Sequence, residues 1–172
     1  MSNGNIISRK AKMLGDFGEN KLYLFLQNLP PYYYTLNNIL LQTKYGSTQI
    51  DHVIVGPFGI FVIETKNHKG CIFGDCYGKV WTQVLTTGHY TMYSPYLQNL
   101  GHLKHLSRQL QIPLNYMQGA IVFTNEDADL SNVNCPYCFN ILSLQYFILS
   151  YNVQIFTQEQ VQWIGPFFLF RV

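Results

Sequence analysis

Charge is what this chain has little of: Asp, Glu, Lys and Arg make up 12% of its 172 residues, and only nine side chains are acidic. That scarcity makes each acid informative. Between residues 17 and 125 the carboxylates are Glu19, Asp51, Glu64 and Asp75. No basic run forms an arm or tail, and a net charge of +2 permits nucleic-acid binding without demanding it. Long apolar runs are missing too. Nothing reaches membrane-spanning length, and the first dozen residues, MSNGNIISRKAK, lack the apolar centre of a signal peptide. The expectation is a cytoplasmic protein with no membrane partner. Repeats and low-complexity segments are absent, and 48% hydrophobic content in 19.9 kDa suits one domain over residues 1–172, with residues 1–11 flexible.

What is present is concentrated in Thr48 to Lys66, TQIDHVIVGPFGIFVIETK. Two β-branched runs, Ile50 to Val55 and Ile60 to Thr65, flank Gly56-Pro57-Phe58-Gly59, and Pro57 suits the first central position of a tight turn. A turn centred there places Asp51 opposite Glu64 and Gln49 opposite Lys66, unless a bulge intervenes. Alternation puts Val53, Val55, Ile60 and Val62 on one face and Ile50, Ile54, Phe61 and Ile63 on the other, so both strands are central and covered on both sides.

Asp51, Glu64 and Lys66 then converge at the end of an apolar hairpin. Two carboxylates in such a place repel and lose hydration unless a cation lies between them, and hard oxygen ligands suit magnesium or manganese. An ammonium beside that cation can hold an attacking water and stabilise charge on a phosphate, so the pattern points to phosphodiester hydrolysis. The plainer reading is a structural pair of Lys66 with Asp51 or Glu64 at a strand end.

An Asp, a short strand and then Glu-x-Lys on the next strand resembles the signature of the restriction-endonuclease-like PD-(D/E)XK nucleases. The wider pattern resembles the nuclease-related domain, NERD. Its pieces here are Gly18-Glu19, the block from Gly46 to Gly70, Trp81, and Pro95-Tyr96-Leu97-Gln98-Asn99, so the likeness runs from about Leu14 to Thr124. It implies an α/β restriction-endonuclease-like core, a central mixed sheet flanked by helices on both faces. It also implies a metal-dependent nuclease, on DNA by expectation, with Asp51, Glu64 and Lys66 catalytic and Glu19 and Gln98 supporting. Magnesium or manganese would be held by Asp51, Glu64 and, from likeness and strand geometry together, the Thr65 carbonyl.

The rest of the chain reads as α/β. Helices are predicted over Met13 to Asn28, Pro95 to Leu110 and Leu142 to Ser150. Strands are predicted within Tyr33 to Tyr45 and Cys71 to Thr87, over Gln118 to Thr124, and at Phe167 to Val172. In the first helix Glu19 sits on a mostly apolar surface, and Gly15 and Gly18 would let the helix approach the sheet closely; the alternative is a Glu reaching solvent. In the second, Leu97, Leu100, Leu103, Leu106 and Leu110 form the apolar side, leaving Gln98, His102, His105 and Gln109 opposite, with both histidines expected in water.

The four cysteines, Cys71-x4-Cys76 and Cys135-Pro-Tyr-Cys138, raise a zinc hypothesis, but four reduced thiols are the stronger expectation and zinc is disfavoured. Lys69, Lys79, Lys104 and Arg108 are candidate phosphate contacts, with ordinary surface the plainer reading. The tyrosines at 32–34 are assigned to core packing. Expected partners are nucleic acid, a second copy of the chain where a duplex is cut on both strands, and a separately encoded protein. The competing functional class is a nuclease-like module that binds nucleic acid or protein and cleaves nothing; a zinc-stapled interaction domain is a third.

Overall fold

The computed structural model describes residues 3–43 and 46–167, with side chains over 12–43 and 46–165. Helix α1, Asn3–Leu26, starts ten residues before the predicted Met13. Strand β1, Tyr34–Thr43, leads into the hairpin of β2, Gly46–Gly56, and β3, Gly59–Lys66. Next come β4, Gly70–Asp75, β5, Val80–Leu85, and β6, Gly88–Tyr93. Helix α2, Pro95–Leu110, has the bounds its sequence announces: Ser94 Oγ accepts the Leu97 N–H at 3.3 Å, Pro95 opens the first turn, and Gln111 ends it in the left-handed conformation. After β7, Met117–Phe123, follow β8, Ala128–Asn134, β9, Cys138–Asn140, α3, Ile141–Leu149, and α4, Gln158–Phe167. Sequence reading did not foresee β6, β8, β9 or α4, and the predicted terminal strand lies outside the described residues except for Phe167, which is helical.

The core is a five-stranded mixed sheet in the order β1-β2-β3-β7-β9: β1, β2 and β3 are antiparallel, and β3, β7 and β9 parallel. One face packs Val53, Val55, Ile60 and Val62 against Leu103 and Leu106 of α2 and Val161 and Ile164 of α4. The other packs Ile54, Phe61 and Ile63 against Leu22 and Leu26 of α1 and Leu144 and Ile148 of α3. Helices on both faces of a central mixed sheet are consistent with a restriction-endonuclease-like core. A second sheet, β6-β5-β4-β8, closes over Ile121 and Phe123 through Ile72 and Trp81.

The hairpin register is the predicted one from Gly56↔Gly59 to His52↔Ile63. Ile50 departs from expectation. It joins the face of Val53 and Val55, because the β1–β2 ladder passes from Asn37↔His52 to Ile39↔Ile50 and leaves Asn38 and Asp51 unpaired. Asn38 has φ 55°, and both strands reverse their alternation at this point.

The cysteines also correct the sequence reading: Cys76 and Cys135 form a disulfide, while Cys71 and Cys138 are free. Strands β4 and β8 pair in parallel as far as Asp75↔Asn134, so the next residue of each, Cys76 and Cys135, arrives side by side. The expectation of four reduced thiols therefore holds for Cys71 and Cys138 and fails for Cys76 and Cys135, one from each motif. Burial pushes the Cys138 thiol up to about 12, which leaves it protonated.

Candidate active site

The hairpin's regular pairing stops where its charges begin. Beyond His52↔Ile63, the Thr65 N–H donates to Asp51 Oδ2 at 2.7 Å, so a carboxylate replaces the expected strand pairing. Gln49, predicted to face Lys66, turns the other way and donates from Nε2 to Asn38 Oδ1 at 2.9 Å. The paired irregularity at Asn38 and Asp51 thus opens this end of the hairpin.

Into the opening come the other expected residues. Lys66 Nζ donates to Glu64 Oε1 at 2.5 Å and, more weakly, to Gln98 Oε1 at 3.4 Å, which brings α2 onto the end of β3. Glu64 is 1% exposed. Its second oxygen, Oε2, has no hydrogen-bond partner among the described residues and lies 3.6 Å from His102 Nδ1, likewise unpartnered. His102 Nε2 is 3.1 Å from Thr48 Oγ1.

The field at this corner is unfavourable to its own acids. Burial pushes Glu64 up to about 7, Lys66 opposes that, and Asp51 and Glu19 add to it. Asp51 is raised by burial against the pull of the Thr65 N–H and Lys66. Glu19 also rises to about 7, through burial, Asp51 and Asp16, with Lys66 opposing. Burial and the Lys66 charge hold His102 down, to about 4, so it is neutral and makes no ion pair with Glu64.

Glu19 reaches this neighbourhood because α1 lies close to the sheet. At Gly18 an added Cβ would stand 2.6 Å from Thr124 Oγ1 and 2.7 Å from Asn67 Cβ, whereas Gly15 has nothing within 4 Å. Only the second of the two predicted glycines is needed for the approach. Asn67 Nδ2 fastens the helix by donating to the Leu14 carbonyl at 2.7 Å.

The nuclease-related domain family model matches residues 14–124. That span contains Glu19, Asp51, Glu64, Lys66 and Gln98. The chain belongs to the nuclease-related domain family. It is also similar to an uncharacterized protein of Bacillus anthracis, 32% identical over 157 residues, which cover 89% of this chain and 74% of that one.

This nuclease-related domain suits a small hard cation by one structural test: the buried Glu64 Oε2 lacks a partner while three carboxylates share the corner. Among the described residues no three His, Cys, Asp or Glu side chains are gathered tightly enough to hold a metal by themselves. A backbone carbonyl and oxygens from water or phosphate must therefore complete any coordination, which is how magnesium is ordinarily held.

His102 is the residue that sequence reading misplaced. It is 4% exposed and sits against Glu64, because the buried stripe of α2 runs through Pro95, Asn99, His102, Leu103 and Leu106 rather than through the leucines alone. Asn99 fixes that rotation by donating from Nδ2 to the Val62 and Ala120 carbonyls at 3.0 and 3.1 Å. The i, i+4 spacing of Gln98 and His102 was the available signal. Lys69, Lys79, Lys104 and Arg108 are all exposed, as ordinary surface would be. No helix among the described residues is long and apolar enough to cross a membrane.

Proposed function

We propose that this nuclease-related domain is a metal-dependent phosphodiester hydrolase acting on DNA. The observation that carries the reading is the open hairpin end, where Asp51, Glu64 and Lys66 meet with one buried carboxylate oxygen unpartnered. Asp51, Glu64 and the Thr65 carbonyl would hold magnesium or manganese, which when bound supplies charge on the scissile phosphate and a more acidic water.

The chain's own residues do the rest. Lys66, released from Glu64, holds the attacking water and faces the charge that develops on the phosphate. Gln98, whose Oε1 already reaches Lys66, steers the ammonium and can also donate to a phosphate oxygen. Glu19 acts through water from the α1 side.

One observation favours the non-cleaving alternative: Lys66 is engaged by Glu64 at 2.5 Å, an arrangement that a binding module would keep. The discriminating experiment incubates the parent, Lys66→Ala and Glu64→Ala proteins with single-stranded DNA, duplex DNA and RNA, with magnesium, manganese or chelator. Cleavage that requires metal and is lost in both variants supports the hydrolase. An inactive parent, or variants as active as the parent, favours the binding module.

A further inference from the structure

The same end of the sheet carries a cavity of about 480 Å³ that the hydrolytic residues do not use. The Thr124 N–H donates to the Lys66 carbonyl at 3.0 Å, which ties the end of β3 to the loop after β7, and that loop lines the cavity. Phe25 of α1, Leu130 of β8 and Ile141 of α3 form its apolar walls. Its volume falls in the range of small-molecule sites, and it lies at the carboxyl ends of parallel strands, where such sites gather in α/β sheets. Helix α1 stands between cavity and catalytic corner: Glu19 and Lys21 are about 200° apart around the helix axis. Glu19 feels Asp51 and Lys66, while Lys21 bonds the Thr124 carbonyl.

The polar lining has a definite chemistry. Asn125 and Asn140 spend their amide oxygens on the N–H groups of Asp127 and Ser143, so both offer NH2 donors. Phe25 is half-buried, leaving ring surface available. Lys21 is paired with Glu126 at 2.7 Å, but the Glu126 side chain is 87% exposed, a weak hold that a phosphate can replace.

We propose that this cavity receives an unpaired nucleobase from a nucleotide a few steps along the strand from the scissile phosphate, with the base against Phe25, its acceptor edge toward the asparagines and its phosphate on Lys21. The proposal rests on the nuclease reading for the position of the scissile phosphate. It makes the substrate a single-stranded or frayed strand, since a base held in a duplex must first leave its stack. A protein partner's apolar side chain fits the walls but leaves the two amides and Lys21 unused.

The test reads binding, so that it is separate from cleavage. Full-length protein in chelator is titrated with a short single-stranded DNA carrying a fluorescent purine, with the same strand made abasic at that position, and with its duplex. The single strand is expected to bind about tenfold more tightly than the abasic strand or the duplex, with the fluorescence change of a stacked base. Phe25→Ala and the cavity-filling Leu142→Trp should each weaken binding about tenfold. Leu142 is 65% exposed, so the second change spares the core. Glu126→Gln should tighten binding about threefold by freeing Lys21, a gain that a structural role does not give. Equal binding of intact and abasic strands, variants that bind like the parent, or no binding of any strand overturns the proposal; capture of an apolar peptide instead overturns it in favour of a protein partner. If the single strand binds this way but the parent never cleaves, the hydrolase reading fails and the base site stands. Metal-dependent cleavage indifferent to the base and to these variants removes the base site alone.

Discussion

The two ends of the β2–β3 hairpin are made from the same two strands, yet one is closed and the other open. At the turn end five pairs from Gly56↔Gly59 to His52↔Ile63 keep strict register, and Val53, Ile54, Val55, Ile60, Phe61, Val62 and Ile63 are all fully buried. Each such side chain contributes on the order of 1.5–3 kcal/mol by leaving water. At the other end the ladder gives way to Asp51, Glu64 and Lys66, and burial works against the carboxylates instead of for them. The apolar end supplies a rigid frame on which the polar end can hold groups that would not assemble alone.

The largest effect should come from damaging the frame. Phe61 is fully buried and meets the rings of Tyr33, Phe147 and Tyr151, so Phe61→Ala should destabilise the protein by about 3–5 kcal/mol in denaturant unfolding. A loss below about 1 kcal/mol would mean that this end is not the rigid one. At the open end, Lys66→Ala should lower metal-dependent cleavage by roughly a hundredfold or more. Parent-like rates would remove Lys66 from the chemistry.

The sharpest contrast is one of sign, since Glu64→Gln should stabilise the metal-free protein. Folding raises the Glu64 pKa from 4.5 to about 7, so the folded state binds more protons than the unfolded state between those values. The group's stability contribution is whole below the ordinary value and is lost as pH rises through about 7. In chelator near pH 8, Glu64→Gln should therefore gain about 1–3 kcal/mol over the parent, and the gain should vanish near pH 4.5. A destabilised variant at the higher pH would show that the Lys66 pair outweighs the burial. The smallest effect separates the two α1 glycines: Gly15→Ala, in open space, should stabilise by about 0.5–1 kcal/mol, whereas Gly18→Ala must displace Thr124 or Asn67 and should destabilise.

How much of this was legible in the sequence follows from where the determining interactions lie. The hairpin register was legible because a four-residue turn fixes it locally, and the ends of α2 were legible because Ser94 and Pro95 mark the start within two residues. That register brings Asp51, Glu64 and Lys66 to one end of the hairpin, but the expected pairings of Asp51 with Glu64 and Gln49 with Lys66 are absent because the ladder stops at His52↔Ile63. The reversal at Ile50 was not readable from its own strand, since its counterpart is the left-handed Asn38 on β1. The Cys76–Cys135 disulfide depends on a parallel pairing between strands more than fifty residues apart, which no local spacing encodes. His102 was misread because leucine spacing suggested the buried stripe, while Asn99, bonded to two sheet carbonyls, sets the rotation of α2.

The central claim, that the open end is built to take a cation, is tested most directly by titrating manganese into the protein near pH 8 and following free metal by its paramagnetic resonance. The parent should bind manganese at a site that Asp51→Asn and Glu64→Gln each abolish while both variants remain folded. A parent that leaves the metal free, or variants that take it up as the parent does, would contradict the account.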